Sequence, residues 1–219
     1  GEFYSFDHVT PWNPTAGGTY TIDIWATNIN GSDDMDTSND IVSKTVTVFD
    51  NATLKRPLLE SFTSSTSPPD APGNTNVSNV LSNYNDDQYS LIKYQMNFPG
   101  AGDPYYTDEV GERFDYYDLS FVPLLAIDGS GWQDNSNSFT STEMDNALAE
   151  PSFVELSSFF EVDVEGQTVD ININIEPLGD ISSELTLHAA IFETKTYNNT
   201  GTNGETEFDN VMKKMVPNA

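Results

Sequence analysis

Read for its alternation of apolar and polar positions, the chain falls into three stretches. Residues 18 to 50 predict a β-hairpin with a long acidic tip. Thr19 to Thr27 sets Tyr20, Ile22, Ile24 and Ala26 against Thr19, Thr21, Asp23 and Thr27, the period-two pattern of a half-buried strand. Ile41 to Phe49 follows the same rule, with Val42, Val46 and Val48 among Thr and Lys. The intervening NINGSDDMDTSND has the Asn, Gly and Asp content of a loop. Two strands alone are marginal in water. The hairpin is therefore expected either to be the last piece of an immunoglobulin-like sandwich whose earlier strands are missing, or to dock on the rest of the chain.

Residues 57 to 150 alternate strand and helix patterns. Short apolar strands are expected at Pro57 to Phe62, Tyr89 to Met96 and Val122 to Ile127. Helices are expected at Asn74 to Tyr84, with Val77, Val80, Leu81 and Tyr84 on one face, and at Thr107 to Tyr117, with Thr107 as cap and acids in the first turn. A last helix starts at Thr140, where Thr140 and Glu143 fit a capping box, and runs to Ala149. Such alternation argues for an α/β layer with part of its sheet parallel. From residue 153 on, β-patterns return. Leu156 to Val164 and Thr168 to Glu176 flank a Glu165-Gly166 turn, and Glu184 to Phe192 gives a third strand. Phe208, Val211, Met212 and Met215 stand at helical spacing before Pro217, which predicts a short closing helix. These boundaries give a partial β-segment at 1–52, an α/β domain at 53–150 and an incomplete β-rich module at 151–219.

Charge narrows the function. Thirty-five Asp and Glu face 8 Lys and Arg, for a formal net charge of −27. Nucleic acid is excluded as a partner, since phosphate binding needs clustered cations and no basic stripe exists. No apolar run approaches the roughly 20 residues of a membrane span. The chain opens GEFYSFDHVT, without a basic start or an apolar core, so it is read as a mature form or a fragment. There is no cysteine, which removes disulfides, thiolate nucleophiles and zinc–sulfur sites.

The stretch LESFTSSTSPPDAPGN, Leu59 to Asn74, resembles the active-site entrance of thioredoxin-like proteins in the outer membrane protein 28-related family. LIKYQMNFPGAGDPYYT (Leu91 to Thr107), the Tyr116-Tyr117 pair and VPLLAIDG (Val122 to Gly129) extend the likeness. LTLHAAIFE (Leu185 to Glu193) and NVMKKMVP (Asn210 to Pro217) carry it to the C-terminal region. The resemblance implies an α+β architecture: a central thioredoxin-like α/β domain flanked by immunoglobulin-like β-sandwich segments. It also implies export to the extracellular medium or the outer-membrane surface of a Gram-negative bacterium, often by the type IX route.

Family members with a CPPC pair hold their cysteines where this chain has Ser67 and Asp70 around Pro68 and Pro69, and Pro123 resembles the cis-proline that lies against that loop. A hydroxyl and a carboxylate cannot exchange disulfides. The resemblance therefore implies a vestigial redox site, Ser67, Pro68, Pro69, Asp70 and Pro123, in a protein that is not an enzyme. Asp70 is expected to cap the helix that follows, or to line a residual cleft. Hydrolysis by Ser67 lacks a partner, because neither His8 nor His188 lies in a triad motif.

Asp33, Asp34, Asp36 and Asp40 form the densest acidic cluster and could hold calcium, although the EF-hand order does not fit. No other cofactor is expected. Tyr105, Tyr106, Tyr116 and Tyr117 could line a groove for a glycan or a peptide. The reading that results is a secreted or cell-surface scaffold or binding module with a protein or glycan partner. The alternatives are an accessory component of the type IX secretion machinery and a carboxylate-dependent hydrolase.

Overall fold

The computed structural model describes residues 8–25, 31, 36, 38, 40–100, 102–129, 131–179, 181, 184–197 and 201–217. The chain divides into two units, Gly1–Ala52 and Thr53–Ala219. In the smaller unit β1 (Gly18–Trp25) and β2 (Ile41–Val48) pair antiparallel, from Gly18 opposite Val48 to Trp25 opposite Ile41. Tyr20, Ile22, Val46 and Val48 are half-buried, as the alternation predicts, whereas Ile24 and Val42 of the same pattern are exposed. The ring of Trp12 meets Tyr20 edge-on at 5.0 Å. Among the described residues of the smaller unit, β1 and β2 form a two-stranded sheet, the hairpin that the pattern predicts.

The larger unit opens with β3 (Thr53–Leu54) and β4 (Leu58–Thr63), then α1 (Asp70–Leu81), β5 (Ser90–Gln95) and α2 (Asp108–Tyr116). It continues through β6 (Leu124–Ile127), β7 (Trp132–Asn135), α3 (Ser141–Ala149), β8 (Pro151–Ser152), β9 (Val154–Asp163), β10 (Thr168–Pro177), β11 (Ala189–Thr196) and β12 (Phe208–Val216). Six strands form one mixed sheet in the order β11-β12-β5-β4-β6-β7. β4 runs parallel to β5 and antiparallel to β6, and β6 is antiparallel to β7. Both sheet faces are covered. Phe62, Ile92, Tyr94, Leu124, Met212 and Met215 pack with Val110 and Phe114 of α2. Leu59, Leu125 and Ile127 pack with Val77 and Leu81 of α1 and Met144 and Ala147 of α3.

Local chemistry explains the helix starts. The Thr107 side chain accepts from the Val110 amide, and Thr140 and Glu143 form the reciprocal capping box. α1 begins at Asp70, earlier than the periodicity predicts, because Pro72 and Gly73 fall in a first turn, where a missing amide costs nothing. β9 and β10 form the expected hairpin, whose turn is held by Glu165 and Gly166 amides donating to the Asp163 carboxylate at 3.0 and 2.9 Å.

Two expectations at the C-terminal end are corrected. The closing helix is strand β12, paired antiparallel with β11 and parallel with β5. A register shift beside Ile191 and Phe192 places Lys214 and then Met212 opposite them and leaves Lys213 as an extra residue. That bulge brings Met212 and Met215, three residues apart, into one cluster, a spacing that imitates a helix. The boundary at 150 also moves, since β11 and β12 belong to the same sheet as β4 and β5.

Candidate functional site

The Ser67-Pro68-Pro69-Asp70 segment links β4 to α1. Its prolines are exposed, whereas Ser67 and Asp70 are buried, at 1% and 0% exposure. The Ser67 hydroxyl donates to one Asp70 carboxylate oxygen, and the Ser64 amide donates to the other at 2.5 Å. Asp70 therefore ties down the loop before the helix; Pro69 occupies the N-cap position and no side chain caps α1. Burial pushes the Asp70 carboxyl up to about 6, against the pull of its donors and with the nearby Glu205 charge adding to the rise.

A second segment roofs this loop. The Asn203 amide donates to the Ser65 carbonyl at 3.0 Å, and its side-chain amide donates to the Ser64 carbonyl at 3.2 Å and to Glu205 at 2.6 Å. Glu205 also accepts from the Asn74 side chain at 2.9 Å, and Asn74 donates to Thr63 at 2.9 Å. Gly201 lies so close to Ser65 that a Cβ there would come within 2.8 Å of its carbonyl oxygen. From the other side the buried Asp103 accepts from the Ser65 amide at 2.9 Å. Ser67 and Asp70, expected as one possibility to line an open cleft, are thus buried and bonded within the loop.

Val122-Pro123 is a cis peptide bond, and Pro123 is buried against α1. A Cβ added at Gly73 would stand 3.1 Å from the Pro123 ring and 3.2 Å from the Ser136 side chain. The loop, the helix it opens and the proline are therefore neighbours. With β4, α1, β5, α2, β6, β7 and α3 in that order, the arrangement is a thioredoxin-like fold.

The comparisons agree on that fold. HBP35 of Porphyromonas gingivalis is similar in structure with a TM-score of 0.62 at 10% identity, over 76% of this chain and 58% of that one. A structural-genomics protein of Agrobacterium tumefaciens is similar with a TM-score of 0.52 at 15% identity, over 74% and 73% of the two chains. The chain thus spans little more than half of HBP35. No protein-family model matches the sequence, and no curated protein does.

The tyrosines do not share a groove. Tyr105 meets Phe208 of β12 edge-on at 5.7 Å and carries the Lys213 ammonium 4.3 Å above its ring. Tyr106 packs into the core with its hydroxyl against Gly111. Tyr116 and Tyr117 lie at the far end of α2, in edge-on contact at 5.1 Å. Of the acidic cluster, Asp33 and Asp34 lie outside the described residues. Asp36 accepts from the Ser38 amide at 3.1 Å and hydroxyl at 2.5 Å. Among the described residues no group of three or more His, Cys, Asp or Glu could hold a metal. His188 sits 6.3 Å from the Tyr116 ring, and the Ser67 hydroxyl donates to Asp70.

Sequence reasoning missed a buried charged network under α2. Glu60 is fully buried in β4 and receives Arg113 Nε at 2.9 Å and Nη2 at 3.2 Å. The Tyr94 hydroxyl donates to it at 2.9 Å, and Tyr117 donates to its other oxygen. Burial, and then the Glu60 charge, push both phenols well above their ordinary range, which keeps them donors. Arg113 also stacks over Tyr116 and Tyr117, at 4.9 and 4.6 Å. The signal was an acid inside the apolar run LESF, with the one base of an acidic helix to match it.

Proposed function

We propose that this chain is a binding or scaffold module whose thioredoxin-like domain takes no part in thiol exchange. The observation that carries the reading is the closed loop: Ser67 and Asp70 bond to each other, out of solvent, and Asn203 bonds the Ser64 and Ser65 carbonyls of the same loop. A thiol exchanger presents its attacking atom to a partner disulfide. Here the same position is spent on internal hydrogen bonds, so the site works as structure. The resemblance to exported surface proteins favours a protein or glycan partner outside the cell. The apolar side chains that β9 and β10 expose, Phe159, Phe160 and Val162 among them, favour a protein.

Insulin reduction tests the reading. The native chain leaves the rate with dithiothreitol unchanged, and so does the Ser67→Cys/Asp70→Cys variant, because the roof keeps a protein disulfide out. Turnover by the native chain would overturn the redox-silent assignment. Turnover by the variant would show an open cleft and defeat the structural role of the loop.

A further inference from the structure

The lysines of this chain are Lys44, Lys55, Lys93, Lys195, Lys213 and Lys214. Lys55 pairs with Asp128 and Glu150, and Lys195, Lys213 and Lys214 pair with Glu207, Glu193 and Glu109. Lys44 lies exposed on β2. Lys93 differs from all of them. It stands in the middle of β5, 9% exposed, and its ammonium makes no ion pair or hydrogen bond among the described residues.

The sheet is open beside it. β5 and β12 pair at a single position, Lys93 opposite Val211, and a cavity of about 480 Å³ lies between them and α1. Lys93 is in its wall, with Val77, Leu81 and Leu91 supplying apolar surface and Ser78 and Thr194 supplying hydroxyls. That volume falls in the range of small-molecule sites. The same face of the sheet carries further unused polar groups. Ser61, the cross-strand neighbour of Lys93, and Gln95, two positions along β5, are buried, and the Ser61 hydroxyl and both polar atoms of the Gln95 side chain lack a partner among the described residues. Buried polar atoms without partners mark a place where a water or a ligand oxygen belongs.

We propose that Lys93 is a nucleophilic amine that captures small carbonyl compounds in this cavity as an imine. Loss of hydration without a paired carboxylate disfavours the ammonium and raises the share of free amine. Burial lowers the pKa of Lys93, while the charges of Asp209 and Glu205 hold part of it up. Asp86, Tyr84 and Tyr89 are the other titratable groups around the cavity. In the reaction the Nζ lone pair forms a bond to the carbonyl carbon, and the oxygen takes up the amine's proton to give a carbinolamine. The C–O bond then breaks, and oxygen leaves as water with a second proton from nitrogen, which leaves a C=N bond. No oxidant or reductant is needed. Ser78 and Thr194, in the cavity wall, supply hydroxyl donors for the oxygen as it changes from carbonyl to hydroxyl to water.

The test is reductive alkylation with propanal and cyanoborohydride near neutral pH, mapped by peptide mass spectrometry on the full chain. Lys93 should gain its propyl group at least about tenfold faster than the exposed Lys44, as expected of a free amine competing with a hydrated ammonium. Lys93→Met should abolish the fast phase and leave the other lysines at their native rates. Labelling of Lys93 no faster than Lys44, or no labelling of Lys93, would overturn the proposal. The native map decides alone, so a variant that fails to fold does not rescue it.

Discussion

Replacing Arg113 with Met isolates the buried pair under α2. The substitution keeps most of the stem's volume but leaves the Glu60 carboxylate, fully buried, with two phenol donors and no cation. Breaking such a pair by removing one partner costs about 3–5 kcal/mol, because the remaining charge has lost both water and its counter-ion. Hydrogen exchange of β4 and β5 amides reads this loss within the larger unit, where Glu60 and Arg113 both lie. At 1.36 kcal/mol per decade, protection should fall roughly 150- to 5,000-fold. The double variant Glu60→Met/Arg113→Met removes the stranded charge and should recover most of that protection. A loss below about 1 kcal/mol for the single variant, the scale of an exposed pair, would refute the account. So would a double variant that simply adds the two single losses.

Three other outcomes follow from the loop and its surroundings. The Asp70 carboxyl titrates at about 6 when folded against an ordinary 3.8, so the folded state binds its proton more tightly, and this group's contribution to stability falls as pH rises between those values. Asp70→Asn should remove that slope from denaturation midpoints measured across the window; an unchanged slope would assign it elsewhere. Gly73→Ala should destabilise by about 1–3 kcal/mol of overpacking, since its Cβ meets Pro123 at 3.1 Å and Ser136 at 3.2 Å, which outweighs the usual helical gain. A rise in melting temperature would contradict that packing. Calcium titration of the full chain should give no saturable heat and no melting shift, because among the described residues no group of three or more His, Cys, Asp or Glu could hold a metal; a stoichiometric heat would overturn this.

What could be read in advance was local. Thr107, Thr140 with Glu143, and the Glu165-Gly166 turn declare themselves because the residues that bond lie within four positions of each other. Between 57 and 150 three strands and three helices follow from periodicity, whereas β7, Trp132–Asn135, was missed, and the proline pair marks where a helix opens. The roof over Ser64 and Ser65 was not legible, since Asn203 is 139 positions from Ser64 and nothing near either residue encodes the contact. Asp70 looks like a cap by residue type, yet its oxygens are engaged by Ser64 and Ser67 on the loop side. At β12 one extra residue, Lys213, sets Met212 and Met215 three apart in one cluster, which a helix would also do.

The position of β12 bears on how this protein can be cut. Without residues 189–216, β5 would be left with an unzipped flank, and Ile92 and Tyr94 would lose the Met212 and Met215 side chains that share their cluster. Bare backbone beside uncovered apolar surface invites pairing between molecules. A fragment ended at residue 150, where the alternating pattern stops, should therefore self-associate, and the smallest autonomous folding unit must keep the last two strands.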